Sequence, residues 1–116
     1  MTNTLSARIP SQLYAWLQYS FPYLNLAQVN LKFANPWTRS DGLTWGKTVT
    51  LRPTYEPRLH LLDEAAIELL CHELVHVEQF AQAGTFWLLH YLLHHREWEE
   101  RARQKARELR ALWVSQ

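Results

Sequence analysis

The chain has 116 residues, of which 47% are hydrophobic and 20% charged. This length and balance fit one globular domain over residues 1–116 and leave little room for a second. Six Trp, five Tyr and four Phe are too many for a disordered polar chain, so disorder as the main state is excluded.

The net charge of +1 is unevenly distributed along the chain. Residues 63–95 carry five acidic side chains and no Lys or Arg, whereas the segments 1–62 and 96–116 are both net basic. An acidic middle segment suits a cation site. No nucleic-acid partner is expected, because such a face needs clustered Lys and Arg.

The sequence predicts a cytoplasmic location. The single cysteine, Cys71, cannot form an internal disulfide, and MTNTLSAR lacks the basic and apolar regions of a signal peptide. The uncharged stretch 79–95 contains polar residues and falls short of the ~20 apolar residues of a membrane span. Its bulky side chains leave a weak peripheral membrane contact open, through Phe86, Trp87, Leu88, Leu89, Tyr91, Leu92 and Leu93.

The first half of the chain predicts a short helix followed by strands. Apolar residues at helical spacing between Pro10 and Pro22 predict a helix over 11–20. Hydrophobic and polar residues alternate from Val29, which indicates a strand. After turn signals at 35–36 and 40–42, LTWGKTVTLRP predicts one or two more strands. Together these segments predict a small, mostly antiparallel sheet.

The second half predicts helices. Asp63 is a suitable N-cap for a helix that continues to Ala83, and Gly84 ends it. The segment 85–116 contains no Pro or Gly and keeps a helical pattern into the charged end RARQKARELR, interpreted as a solvated helix face. It is either one long helix or two helices joined at a kink.

The motif HELVH, at residues 72–76, carries the chemistry. Residues four apart share one helix face, so His72 and His76 can hold one ion while Glu73 points at a water on it. Zinc in such a site activates the water and polarises a scissile carbonyl, and the Glu transfers the proton to the leaving amine. A chance match is expected about 0.02 times in a chain of this composition.

The third ligand is open among several residues. Gln79 and Gln82 occupy the positions where the longer HExxHxxGxxH motif has Gly and His, so that class is excluded. A Glu on the next helix is the other arrangement. Glu97, Glu99 and Glu100 all lie within one turn, and His90 and His94 are further candidates.

The motif and its surroundings resemble a known family. HELVHVEQF followed by WEERARQKA is similar to the small single-domain gluzincin-type zinc metallopeptidases, often called minigluzincins, and to related peptidase domains. The resemblance implies a zincin-like α+β fold and a Zn²⁺ ion on His72, His76 and Glu99. Within it, Glu99 matches the family's third ligand because Ala102 follows three residues later, and Gln79 fits a variant of the motif.

The resemblance also implies a substrate groove. TWGKTVTLRP is similar to the strand that precedes the active-site helix in this family, whose edge is thought to pair with an extended peptide. We therefore expect a peptide or protein substrate to lie along residues 45–51 by strand addition, with Trp45, Gly46, Lys47 and Thr48 as its contacts. The alternative is a non-catalytic zinc-binding or protein-interaction module with peripheral membrane contact.

Helix geometry sets a condition on Glu99. If a straight antiparallel helix follows Gly84, the residue opposite His76 lies near position 92, and Glu99 overshoots it by ~10 Å. A kink near His94-His95 or a longer connection around Gly84 is therefore needed. Otherwise His90 or His94 becomes the ligand.

Two further expectations concern burial. Cys71 points away from His72 on the helix and is expected to be a buried structural thiol. The six tryptophans are expected mainly in the core, although Trp45 can line a groove.

Overall fold

The structure, a computed structural model, describes residues 3–116. Within this range the chain forms five α-helices and a three-stranded sheet, which confirms the α+β class and the long C-terminal helix. The elements are α1 (Leu5–Arg8), α2 (Ser11–Ser20), β1 (Asn30–Phe33), β2 (Gly42–Trp45), β3 (Thr48–Leu51), α3 (Tyr55–His60), α4 (Glu64–Ala83) and α5 (Trp87–Val114). Short 3₁₀ turns, Leu26–Gln28 and Gly84–Phe86, precede β1 and α5.

The sheet is mixed, so the prediction of a mostly antiparallel sheet is wrong. Its strand order is β1-β3-β2, with β1 parallel and β2 antiparallel to β3. Phe33 at the end of β1 and Gly42 at the start of β2 both pair with Leu51. The connection 34–41 therefore crosses the end of β3 and leaves β2 on the opposite edge. Hydrophobic alternation indicates which face of a strand is buried but not which strand lies beside it.

A tight hairpin joins β2 to β3. Gly46 has a φ of +62° at the first position of the two-residue turn, where a type II′ hairpin needs a left-handed residue. Glycine adopts this conformation without a steric penalty. The hairpin places β2 against α4, next to the HELVH segment.

Helix α4 lies at the centre of the molecule, and both its predicted ends are confirmed. The Asp63 carboxylate accepts the N–H of Ala66 at 2.9 Å, and Gly84 ends the helix with a φ of +61°. Between these ends α4 buries a row of apolar side chains in the main core: Ala66, Ile67, Leu70, Cys71, Leu74, Val75 and Val77. Burial raises the pKa of the Cys71 thiol to about 12, which fits the predicted structural role.

Only the second half of α5 is packed into the core. Ala102, Ala106 and Leu109 recur at helical spacing and are buried against the rest of the core. Two of these three side chains are small, which allows α5 to approach α4 closely. Lys105 of α5 adds an ion pair to Glu78 of α4 at 3.2 Å.

The tryptophans were expected mainly in the core, and the structure does not place them there. All six are half-buried or exposed, and Trp37 is 83% exposed. Trp16 and Trp113 form an edge-to-face pair, with ring centroids 5.1 Å apart, at the margin of the core. Each indole carries an N–H that needs a partner, so the large ring is more often placed at a margin than fully inside.

Candidate metal centre

Helix α4 brings the two histidines of the motif together. His72 and His76 are one turn apart on the same face, and their Nε2 atoms are 3.2 Å apart. His76 is buried and His72 is half-buried. The local helical spacing alone therefore positions two of the candidate ligands.

Glu99 approaches the same point from α5. Its Oε1 atom is 2.8 Å from His76 Nε2, and its Oε2 atom is 3.2 Å from His72 Nε2. Ligand atoms of all three side chains lie within 4.8 Å of one another, and residues 3–116 hold no other such group of three. The remaining candidates, Glu97, Glu100, His90 and His94, lie outside the cluster.

A kink in α5 brings Glu99 to this position. His94 has φ −128° and ψ 18°, which interrupts an otherwise continuous helix. This confirms the predicted kink near His94-His95. A helix without it would carry Glu99 past the two histidines. The break lies five residues before Glu99, and beyond it α5 is buried in the core and places Glu99 next to His72 and His76.

Gln79 connects His76 to the backbone next to Glu99. Its amide N–H donates to the carbonyl of Trp98 at 3.0 Å, which turns its Oε1 atom toward His76 Nδ1, 2.7 Å away. An amide oxygen only accepts hydrogen bonds, so His76 donates from Nδ1. Its Nε2 atom is then left facing Glu99 and His72, as a metal ligand requires.

Glu73 lies beside the cluster, where it is 5% exposed. The Thr44 hydroxyl on β2 is 2.7 Å from Glu73 Oε1 and 3.1 Å from the Glu73 carbonyl oxygen. Burial raises the pKa of the Glu73 carboxyl, although the Thr44 hydrogen bond and the two histidines lower it in part. The result is a carboxylate held in one place with an increased affinity for a proton.

Gly42 and Thr44 are site residues that the sequence analysis missed. A Cβ at position 42 would lie 3.1 Å from Glu73 Oε2 and 2.9 Å from Leu51 Cδ2, so a side chain there would crowd the carboxylate. The turn signal at 40–42 marked Gly42 only as part of a loop. No local pattern indicates that Thr44 contacts a residue 29 positions later.

Electrostatics within the cluster favour an ionised Glu99. The His72 and His76 rings, when protonated, donate hydrogen bonds to Glu99 and lower the pKa of its carboxyl well below its usual range. Burial alone would lower the pKa of His76, but its hydrogen bond to Glu99 and the charges of Glu73 and Glu99 outweigh this and raise it. The negative charge and the imidazole nitrogens converge on one point.

The donor set fits a zinc ion. Two imidazole nitrogens and one carboxylate oxygen are a common set of protein ligands in catalytic zinc sites, which keep a further position open. Here His76 Nδ1 is already occupied by Gln79, so its Nε2 remains for the ion. Glu73 lies close by but outside this group of three ligands, and its Oε1 atom accepts a hydrogen bond from Thr44.

A cleft of about 240 Å³ opens beside the cluster. Apart from the four motif and ligand residues, its lining comes from the segment 38–44 and from an aromatic group: Phe80, Tyr91 and Trp98. The ring centroids of Phe80 and Trp98 are 5.4 Å apart, and Trp87 and Trp45 extend the same aromatic group. This half of the site is apolar.

The strand β2 lies at an edge of the sheet, whereas β3, which holds most of the predicted substrate segment 45–51, is the central strand. Thr48 and the rest of β3 form the central strand, whose backbone pairs on both sides with β1 and β2. The segment 45–51 therefore cannot accept a substrate strand along its length. Next to the ends of the two strands, the Arg52 N–H donates to the Asp41 carbonyl, so by alternation the backbone groups of Gly42 and Thr44 face outward. The Gly42 carbonyl there accepts a hydrogen bond from the Ser40 hydroxyl.

The four predicted substrate contacts separate in space. Trp45 ends β2 and packs against Trp87, with ring centroids 4.8 Å apart, at the aromatic end of the cleft. Gly46 and Lys47 form the hairpin turn, and Lys47 Nζ donates to Gln28 at 2.7 Å. Neither they nor Thr48 line the cleft. Trp45 does not line it either, although its ring joins the aromatic group through Trp87. The role of these four residues as substrate contacts stays a prediction.

The first half of α5 carries an exposed apolar face. Five of the seven residues predicted for a membrane contact are exposed by half or more: Phe86, Leu88, Leu89, Leu92 and Leu93. Trp87 and Tyr91 turn inward to the aromatic group instead. Among residues 3–116, no helix is both long enough and apolar enough to cross a membrane.

Comparison of the chain with known protein families, curated proteins and solved structures found no match. The likeness to minigluzincins therefore rests on the motif residues and their spacing.

Proposed function

We propose that the protein is a zinc-dependent metallopeptidase with a zincin-like fold that hydrolyses peptide bonds. One observation carries this proposal: His72, His76 and Glu99 converge on one point, with the buried carboxylate of Glu73 beside them. If the two histidines served only for packing, nothing would require a break in α5 that places the Glu99 carboxylate beside them.

His72, His76 and Glu99 would hold a zinc ion, which would lower the pKa of water and polarise the scissile carbonyl. Glu73 accepts the proton from the attacking water and returns it to the leaving amine. Its raised pKa suits this exchange, and its hydrogen bond from Thr44 keeps the carboxylate oriented. Gln79 holds His76 in the tautomer that leaves Nε2 available.

An extended peptide or protein substrate binds along the free edge of β2. The outward backbone groups of Gly42 and Thr44 pair with the peptide, as in other cases of strand addition. This register presents the scissile bond to Glu73, because Thr44 on the same strand contacts that residue.

The test is the variant Glu73→Gln, measured with a mixed peptide pool by mass spectrometry. We expect zinc binding to be unchanged and hydrolysis to fall by at least about 100-fold, since general-base catalysis contributes 10²–10⁴-fold. Glu78→Gln is the matched control, because Glu78 lies on α4 outside the cluster and pairs with Lys105. Hydrolysis that survives Glu73→Gln would refute the mechanism, and zinc binding without any cleavage by the wild type would favour a zinc-binding module.

A second candidate function is reversible contact with a lipid surface. The observation that favours it is the exposed apolar face of α5, where Leu92 is 63% and Leu93 67% exposed. We expect liposome flotation to recover the protein and the double variant Leu88→Ser/Leu92→Ser to reduce that recovery. Equal recovery of both proteins would remove this candidate.

A further inference from the structure

A second concave pocket, of about 400 Å³, adjoins the metal centre on its other side. It shares Gly42, His72 and Glu73 with the aromatic cleft, so the two pockets meet at the candidate catalytic residues. Its outer wall is formed by Arg103 and Arg107 of α5. We call this second space the arginine pocket.

Two of the three acidic side chains that line the arginine pocket, Asp41 and Glu68, already have cationic partners. Asp41 lies 3.4 Å from Arg52 and also accepts a hydrogen bond from the Tyr55 hydroxyl. Glu68 lies 3.5 Å from Arg110. Arg110 also lies 3.8 Å from Glu64, so Glu68 shares its cationic partner, whereas Asp41 has Arg52.

The two arginines that give the pocket its name have no carboxylate partner. Arg103 donates only to the backbone carbonyl of Glu99, at 3.4 Å, and Arg107 makes no hydrogen bond or ion pair within residues 3–116. They are four residues apart, so their side chains share one face of α5. Two guanidinium groups thus line the pocket and, within residues 3–116, neither makes an ion pair.

A divalent ion on His72, His76 and Glu99 would leave the positive charge of the two arginines in place. Its two positive charges would balance the carboxylates of Glu73 and Glu99, the acidic groups of the metal centre. Arg103 and Arg107 would then remain as the uncompensated charge next to the scissile bond. The guanidinium group matches a carboxylate in shape, because it can donate two parallel hydrogen bonds to it.

We propose that the arginine pocket is a substrate subsite for a carboxylate, which makes acidic peptides the preferred substrates. This proposal rests on the proposed peptidase function and adds the substrate class to it. A peptide that spans the site places an apolar side chain toward Phe80 and Trp98, and a carboxylate on the opposite side of the scissile bond. The carboxylate is either an Asp or Glu side chain or the free C-terminus of the peptide.

The experiment measures binding with the zinc-loaded Glu73→Gln protein, so that cleavage does not interfere. Fluorescent ten-residue peptides with one central Phe carry a single Glu, moved through the positions on either side, and matched peptides carry Gln instead. A further pair without Glu ends in a free carboxylate or an amide, which separates the two sources of the carboxylate. The same peptides are then given to the wild type and their cleavage is followed by mass spectrometry.

We expect Glu on one side of Phe, or the free C-terminus, to tighten binding by about 10-fold, as two partly exposed charged hydrogen bonds allow. Arg103→Gln and Arg107→Gln should each reduce this preference, and the double variant should abolish it. Arg101→Gln is the control, because Arg101 is also exposed on α5 but does not line the arginine pocket. The preference should also weaken as the salt concentration is increased.

The outcomes separate this proposal from the proposed function. Cleavage without any preference for a carboxylate, or a preference that persists in the double variant, would overturn the arginine pocket and leave the peptidase intact. Preferential binding of acidic peptides without cleavage by the wild type would support the pocket and contradict the peptidase. If no peptide binds, the proposal is wrong as stated.

Discussion

Helices α4 and α5 contribute to the same cluster in different ways. Helix α4 is buried along most of its length, and the one-turn spacing within it brings His72 and His76 together. Helix α5 enters the core only beyond the break at His94, and its first half has no fully buried residue. Two ligands are therefore a property of local sequence, whereas the third depends on tertiary packing.

The largest effect is expected when the side chain that couples α4 to α5 at the site is removed. Gln79→Leu keeps the volume but removes both the hydrogen bond with His76 and the donation to Trp98. We expect zinc affinity to fall by about 10- to 100-fold, because such outer partners orient the ligands. Affinity is measured by competition with a chromophoric chelator.

Gln82→Leu provides the control for this change, because Gln82 is exposed and makes no contact with the ligands. A long-range ¹H–¹⁵N spectrum should also show a loss of the single His76 tautomer in Gln79→Leu only. If zinc affinity and tautomer were both unchanged, Gln79 would have no positioning role.

A smaller effect is expected from substitutions that compare the buried and the exposed halves of α5. Ala102→Leu adds a large side chain where Ala102 is fully buried, and overpacking of this kind costs about 1–3 kcal/mol in the free energy of unfolding. Leu92→Ser, on the exposed half, should change it by less than about 0.5 kcal/mol. Urea unfolding followed by circular dichroism measures both, and equal effects would contradict the difference between the halves.

The smallest expected effect concerns the start of α4. Hydrogen bonds from Ala66 and Arg58 lower the pKa of Asp63, so its contribution to stability is present above the ordinary aspartate pKa and is lost as the pH falls below it. Asp63→Ala should cost about 1 kcal/mol at neutral pH. The difference from the wild type should shrink in acid, and a difference independent of pH would contradict the capping role.

Local patterns predicted much of α4 and its site. Asp63 and Gly84 marked the two ends, and the motif identified His72, Glu73 and His76 from spacing alone. Glu99 was harder to single out, because three Glu lie within one turn and only the resemblance favoured one of them. Helix geometry did indicate that Glu99 needs a kink, which the structure has at His94.

Other features depend on contacts that no local pattern encodes. The parallel pairing of β1 with β3 results from where the connection 34–41 crosses, so the predicted edge was assigned to the wrong strand. Helices α1 and α3 have four and six residues, too few for a clear periodic pattern. Thr44, Arg103 and Arg107 reach the site only through folding, and the two arginines were interpreted as part of a solvated face.

The zinc content of the purified protein, measured by elemental mass spectrometry, tests the central claim most directly. We predict about one zinc per chain, as for a single three-ligand site. This zinc should be lost in His76→Ala, reduced in Glu99→Ala and retained in Glu97→Ala and Glu100→Ala. A wild type that takes up no zinc on titration at neutral pH, or a Glu99→Ala variant that binds zinc as well as the wild type, would contradict the proposed metal centre.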